Sequence, residues 1–308
     1  MKTNSNLEKV LERGKFAVTA EIGPPRSADA EVIRRKARML KGYIDAFNVT
    51  DGQTAVVHMA SWAGCLIGKE EGLDPIVQMT CRDRNRIALQ MDVLGVAALG
   101  INNILCLTGD YVSIGNHPFA KPVYDVDSIQ FIKIVKDMRD EKKFQCGDRM
   151  KVEPKLYIGA VTNPFSGSPL ELKVLRLKKK VEAGADFIQT QCVFNLEKFE
   201  AWMRLVREKK LHEKVHILAG VMPLKSYRMA KYVKKNVPGI DIPDDILEEL
   251  KSTPKEEVKE KGIDLCVRII EKLKEIEGVH GVHIMAIEWE EVVPTLVKRA
   301  GLLPRPTF

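Results

Sequence analysis

Eight short β-rich runs recur along the 308-residue chain, with helical patterns between them. The runs are "FAVTAEI" (16–22), "IDAFNVTD" (44–51), "PIVQMTC" (75–81), "NILCLTGD" (103–110), "LYIGAVT" (156–162), "FIQTQCVF" (187–194), "HILAGVM" (216–222) and "GVHIMAI" (281–287). The intervening segments carry apolar residues at helical spacing. In "SPLELKVLRLKKKVEAGA" (168–185), Leu170, Val174, Leu177 and Val181 form one stripe, and the pattern closes on glycine. "DAEVIRRKARMLKG" (29–42) and "RNRIALQMDVLGVAALG" (84–100) read the same way. About eight strand–helix units in one row predict an α/β chain folded as a single (β/α)8 TIM barrel over residues 1–308. A doubly wound sheet is the competing architecture. Its Gly-rich turn is missing, because "EIGPPRS" (21–27) has two prolines where that turn needs backbone amides. The polar segment 238–262 reads as a short extra helix and loop before the last strand.

Composition narrows the function classes. Hydrophobic content of 45% and charged content of 30% describe a globular protein. No apolar run reaches the ~18 residues of a membrane span. The N-terminal stretch has no apolar core of a secretory signal, so a cytoplasmic location is expected. No two of the six cysteines lie within four residues of each other, which argues against a zinc ribbon or an iron–sulfur loop. The net charge of +7 suits an anionic ligand or an acidic partner. Aromatics make up 6% and no basic stripe interleaves with them, so nucleic acid is not an expected partner.

The polar residues fall at strand ends. Glu21, Thr50, Asp51, Gln78, Thr80, Asp110, Thr162, Asn163, Gln189, Gln191 and Glu288 all sit in or just after a β-rich run. In a barrel these ends converge on the face that carries the active site. Each residue also has a structural reading. Asp110 and Asp51 could cap following helices. Glu21 precedes Gly23, Pro24 and Pro25, so its alternative is an ion pair inside the barrel. Gln189 and Gln191 share a strand face, and either could be satisfied in the core. Lys173, Arg176 and Lys180 share one side of a helix, with Lys178 and Lys179 elsewhere on it. That stripe is either a solvated face or a phosphate site.

Taken together, "EIGPPR" (21–26), "NVTDG" (48–52), "MTCRD" (79–83), "GINNILCLTGD" (100–110), "LKKKVEAGADFIQTQ" (177–191) and "GVMPLKSYRMAKYV" (220–233) resemble the methylenetetrahydrofolate reductase family of flavin-dependent barrels. The resemblance covers essentially the whole chain. It implies that Glu21 is the general acid for opening the folate ring, and that Asp110 lies between flavin and pterin. It implies that Gln191 binds folate. Thr50, Leu107, Thr108, Gly109 and Tyr124 match flavin-contacting positions, and Asp125 beside Tyr124 is grouped with them. Lys179 and Lys180 match residues that hold the flavin phosphates.

The sequence departs from the family pattern in places. Gln78 stands where a flavin-contacting His is common, and Thr108 where many relatives carry Arg. Lys173 and Arg176 replace an Asp and an Asn near the adenosine half of FAD. Extra cations there suit a terminal phosphate, which makes FMN an alternative to FAD. Met229 replaces a substrate-side Gln and Trp289 an Arg. Val233 stands near a position where some members stack an aromatic on NADH. The resemblance therefore leaves two electron sources open, NAD(P)H directly or a partner protein, and either a homo- or a hetero-oligomer.

The implied reaction is hydride transfer from reduced flavin to 5,10-methylenetetrahydrofolate, in either direction. It requires a protonated Glu21, which burial favours, and a charged Asp110 beside the cationic intermediate. The competing functions are a folate-binding methyltransferase barrel without flavin and an electron-accepting subunit of a larger redox complex.

Overall fold

The computed structural model describes all 308 residues, Met1–Phe308. Eight strands form a closed barrel: β1 (Ala17–Ile22), β2 (Ala46–Val49), β3 (Pro75–Thr80), β4 (Asn103–Leu107), β5 (Tyr157–Thr162), β6 (Phe187–Cys192), β7 (His216–Val221) and β8 (Val279–Ile284). Every neighbouring pair is parallel, and β8 closes on β1 with Thr19 opposite His283. The strands are buried on both faces, which explains their near-continuous apolar character.

An N-terminal helix α1 (Asn6–Glu12) precedes β1. The barrel helices follow in strict alternation: α2 (Ala30–Leu40), α3 (Ser61–Glu70), α4 (Arg86–Ala98), α5 (Ser128–Asp140), α6 (Leu170–Ala183) and α7 (Leu196–Glu208). After β7 come α8 (Tyr227–Asn236), α9 (Asp244–Ser252) and α10 (Val258–Glu275), and α11 (Val293–Arg299) follows β8. No helix is long and apolar enough to cross a membrane. Caps set many of the helix starts. Asp29 accepts from the Glu31 amide, Asn85 from Ile87 and Ala88, and Asp127 forms a capping box with Gln130. Gly184, in the left-handed region, ends α6.

The core has two parts. A large cluster fills the layer between strands and helices. There α3 lies so close to β2 that a Cβ on Gly68 would meet Phe47 Cζ at 2.3 Å. The second cluster plugs the bottom of the barrel. Leu7, Val10 and Leu11 of α1 pack on Ile76, Leu105, Tyr157, Phe187 and Leu218. Aspartates at strand starts tie this end together. Asp45 accepts from the Val18 amide (2.7 Å) and Asp186 from the Ile158 amide (2.8 Å). Asp45 pairs with Arg305 from the C-terminal tail, and Asp186 with Arg139.

Several expected boundaries move. The fourth run stops being strand at Leu107, so Thr108, Gly109 and Asp110 belong to a loop. Gly109 has φ +94°, which breaks the ladder there. The eighth strand starts two residues earlier than expected and ends at Ile284, because Val279 pairs with Ile217 and a turn follows at Ala286. The extra helix before β8 is α9, but residues 258–262 are the start of α10 and not part of an insertion. The helix α1 stands outside the expected strand–helix units; Ser5 caps it by accepting from the Glu8 amide, and Leu7, Val10 and Leu11 are buried.

Candidate active site

The C-terminal ends of the strands surround a cavity of about 600 Å³. Of the strand-end residues singled out in the sequence, all but Glu288 line it. Glu288 is exposed in the turn after β8, at φ +50°.

Glu21 projects from the end of β1 with its side chain 21% exposed. Burial pushes its carboxyl up to about 7; the Gln78 hydrogen bond opposes this and the charge of Glu290 adds to it. Gln78 Nε2 donates to Glu21 Oε2 at 3.3 Å. The ion-pair reading of Glu21 is not realised. Its cationic-capable neighbour is His283, with Nε2 4.0 Å from Oε2, and burial holds that imidazole down at about 3. The ring is therefore neutral.

Beneath Glu21 a buried polar layer crosses the barrel. Asn48 and Gln189 exchange two amide hydrogen bonds, at 2.8 and 3.0 Å. Thr19 Oγ1 lies 2.9 Å and Gln189 Nε2 3.3 Å from His283 Nδ1. The Thr19 hydroxyl also lies 3.4 Å from the Val282 carbonyl, and the other ring nitrogen, Nε2, is the one nearest Glu21. Gln189 is thus satisfied within the core. Gln191 lies nearer the mouth, past a register shift, and its Oε1 accepts from the Cys192 amide at 2.9 Å.

Asp110 is exposed at the mouth. It caps no following helix, since Asp127 takes that role for α5. Its Oδ2 accepts instead from the Thr54 amide at 2.7 Å, and its carbonyl accepts from Tyr124 Oη at 2.9 Å. Asp51 is likewise not a cap. It accepts from the Thr80 amide at 2.9 Å and pairs with Arg84 at 2.7 Å. Thr50, Gln78, Leu107, Thr108 and Gly109 all line the cavity. Thr50 donates to Gln53 Oε1 at 2.6 Å, and Thr108 meets Ser128 Oγ at 3.1 Å.

On α6 the structure separates the lysines. Lys173, Arg176 and Lys180 line the cavity, whereas Lys179 is exposed outside it. At 3.6 residues per turn Lys179 is rotated about 100° from Lys180. None of the three lining cations pairs with a carboxylate. Lys173 Nζ donates to the Pro164 carbonyl at 2.9 Å and Lys180 Nζ to the Val161 carbonyl at 2.5 Å. Burial, then the Arg176 charge, holds Lys180 down at about 8. Two more expected contact residues lie outside the cavity lining. Tyr124 touches the site only through Asp110. Asp125 pairs with Arg86 at 2.7 Å, which holds its carboxyl down at about 2. Val233 is buried in the core.

One barrel face thus brings together a carboxyl of raised proton affinity and three cations of α6 without a carboxylate partner. A family model described as methylenetetrahydrofolate reductase matches residues 6–301. The chain belongs to the methylenetetrahydrofolate reductase family. Among relatives in this family, the Schizosaccharomyces pombe protein named methylenetetrahydrofolate reductase 2 is 24% identical, over 96% of this chain and 47% of that protein. A Caenorhabditis elegans protein named probable methylenetetrahydrofolate reductase (NADPH) is 25% identical, over 97% of this chain and 44% of its own length. The chain thus spans less than half the length of these relatives. It spans 96% of the 5,10-methylenetetrahydrofolate reductase of Buchnera aphidicola subsp. Schizaphis graminum, at 22% identity. The barrel also matches a solved Clostridium thermocellum protein, described as binding two copies of 5-methyl-5,6,7,8-tetrahydrofolic acid. The TM-score is 0.65 at 15% identity, over 97% of this chain and 99% of that one, a likeness of fold.

The sequence reading of this family member missed three lining features. His283 was visible as a lone polar residue in an apolar run, but its partner Glu21 lies at the other end of the chain. Ser166 and Ser168 precede α6 in "NPFSGSP" and line the cavity with Lys173. Arg82, read only as part of "MTCRD", also lines it.

Proposed function

We propose that this chain interconverts 5,10-methylenetetrahydrofolate and 5-methyltetrahydrofolate as a flavin-dependent reductase, with residues 1–308 acting as one flavin- and folate-binding domain. The observation that carries the reading is the placement of Glu21 in one cavity with Asp110, Gln191 and the Lys173, Arg176 and Lys180 cluster, where burial pushes its carboxyl up to about 7. Such a group holds a proton near neutral pH and can still release it. The names of the relatives and the folate bound by the C. thermocellum protein support the same substrate class.

The donor set suits a flavin. Lys173, Arg176 and Lys180 would hold its phosphate, with Ser166 and Ser168 beside them, while Thr50, Gln78, Thr108 and Gly109 would face its ring. A flavin held there would supply, in its reduced form, the hydride that the methylene carbon needs to become a methyl group. Glu21 protonates the folate nitrogen that leaves when the five-membered ring opens. Gln78, which donates to that carboxyl at 3.3 Å, keeps it aimed into the mouth. The Asp110 carboxylate offers negative charge to the cation formed on ring opening, and Gln191 orients the folate. The free thiols, all buried except Cys146, suit a reducing compartment such as the cytoplasm. NADH, NADPH or a partner protein would reduce the flavin.

The test is a flavin spectrum of the purified chain followed by an assay of 5-methyltetrahydrofolate oxidation with an artificial electron acceptor. A yellow, active chain is expected, and releasing the flavin identifies it as FMN or FAD. A colourless chain that binds methyltetrahydrofolate without oxidising it overturns the flavin reading in favour of a methyltransferase-type barrel. A yellow chain inert toward methyltetrahydrofolate points to an electron-accepting subunit instead.

A further inference from the structure

Arg82 has no part in the chemistry above, yet its guanidinium is held where guanidinium groups are seldom found. The residue is 4% exposed at the mouth of the barrel. Nε and Nη2 bind the neighbouring Asp83 carboxylate, the latter at 2.7 Å. Nη1 donates to the carbonyls of Gly52 (3.1 Å) and Asp110 (3.4 Å). Its own carbonyl accepts from the Val123 amide at 2.7 Å, which brings Tyr124 round so that Oη reaches the same Asp110 carbonyl. Three mouth loops, after β2, β3 and β4, therefore meet at one side chain.

The backbone around it is shaped to allow this meeting. A Cβ on Gly52 would lie 2.6 Å from Arg82 Nη2, and one on Gly109 would lie 2.9 Å from Arg82 Cβ. Thr54, whose amide binds the Asp110 carboxylate, sits at φ +54° although it is not a glycine. Strain of that kind persists only where the surroundings hold it. The Arg82 bond to Gly52 anchors the start of that same loop.

The geometry points to Arg82 as a positioning residue for Asp110. It ties the Asp110 carbonyl to the Gly52 loop, so that the carboxylate and the Thr54 amide stay in register and the carboxylate keeps one fixed aim into the mouth. The inference rests on the reading in which Asp110 faces the folate.

A double-mutant cycle on the purified chain tests it. Arg82→Met, Arg82→Lys, Asp110→Asn and Arg82→Met with Asp110→Asn are compared by calorimetric affinity for 5-methyltetrahydrofolate. Hydrogen exchange of the peptide over residues 50–57 is measured in parallel. Arg82→Met is expected to weaken binding about tenfold or more, as for loss of a charged hydrogen bond, and to speed exchange at Thr54. Arg82→Lys restores part of both, since an ammonium can reach one of the two carbonyls. In the Asp110→Asn background, Arg82→Met adds less than about twofold. Losses that multiply in the double variant, or unchanged exchange at 50–57, overturn the assignment. Should Arg82→Met fail to fold, Arg82→Lys is judged by the same two readings. A wild-type chain that does not bind methyltetrahydrofolate overturns the folate reading itself, and the exchange result then decides Arg82 alone.

Discussion

Glu21 concentrates the residue-scale chemistry of this barrel in one titration. Its proton is held more tightly in the folded chain than in the unfolded one, where an ordinary value of 4.5 applies. Stability from this group is full below about 4.5, falls as pH rises, and is gone above about 7. Glu21→Gln should remove that loss and raise the melting temperature by a few degrees at pH 8. The gain should be on the order of 2–3 kcal/mol, and it should vanish at pH 4. The same variant should retain its flavin and lose folate reduction by at least about a hundredfold. In the wild type, the folate half-reaction should slow as pH rises through about 7. Unaltered turnover in Glu21→Gln, measured by stopped flow, removes Glu21 from the mechanism. Burial sets this behaviour, with the Gln78 hydrogen bond opposing it and the charge of Glu290 adding to it. Neither neighbour is visible from local sequence, because Gln78 is 57 residues away from Glu21 and Glu290 stands near the far end of the chain.

At the scale of elements, α6 and α1 make opposite uses of periodicity. On α6 the helical repeat alone groups Lys173, Arg176 and Lys180 and excludes Lys179, and the structure has the same division. Family resemblance alone would have kept Lys179 with Lys180. Lys180→Met should weaken flavin retention about tenfold to a hundredfold, whereas Lys179→Met should leave it within about twofold; equal effects in a dialysis assay would count against the phosphate site. The N-terminal helix α1 carries the reverse lesson. Its seven residues are too few for a strong periodic signal, yet Leu7, Val10 and Leu11 are buried against the barrel floor. Leu11→Ala should cost about 2–5 kcal/mol, read as a lower denaturation midpoint, with flavin binding at the opposite end unaffected.

The whole molecule divides labour between its two ends. The bottom is closed by α1, by Arg305 on Asp45 and by Arg139 on Asp186. The mouth is left polar, with three loops tied at Arg82 and cations that have no acidic partner. Ligands that satisfy those cations should stabilise the fold as a unit. At a hundredfold excess over its dissociation constant, a bound flavin should add about 2.7 kcal/mol. Melting of the flavin-stripped chain with FMN, with FAD and with riboflavin reads this directly. FMN or FAD should shift the transition upward and riboflavin much less. An equal shift from riboflavin would show that the Lys173, Arg176 and Lys180 cluster holds no phosphate.

Sequence by itself determined the repeating strand–helix order, because side-chain periods of about 2 and 3.6 are local properties, and the missing Gly-rich turn pointed to a barrel over a doubly wound sheet. It also determined that Glu21, Gln78, Asp110 and Gln191 stand at strand ends, since a polar residue closing an apolar run is a local signal. Only the tertiary structure decided what those residues touch. Closure of β8 on β1 set His283 against Glu21, and convergence of three loops put Asp110 on Thr54 and Arg82. Asp51 went to Thr80 and Arg84 rather than to a helix start. Hydrogen-bond partners and burial depend on which distant segments arrive at one place, and a carboxyl's proton affinity follows from that arrival.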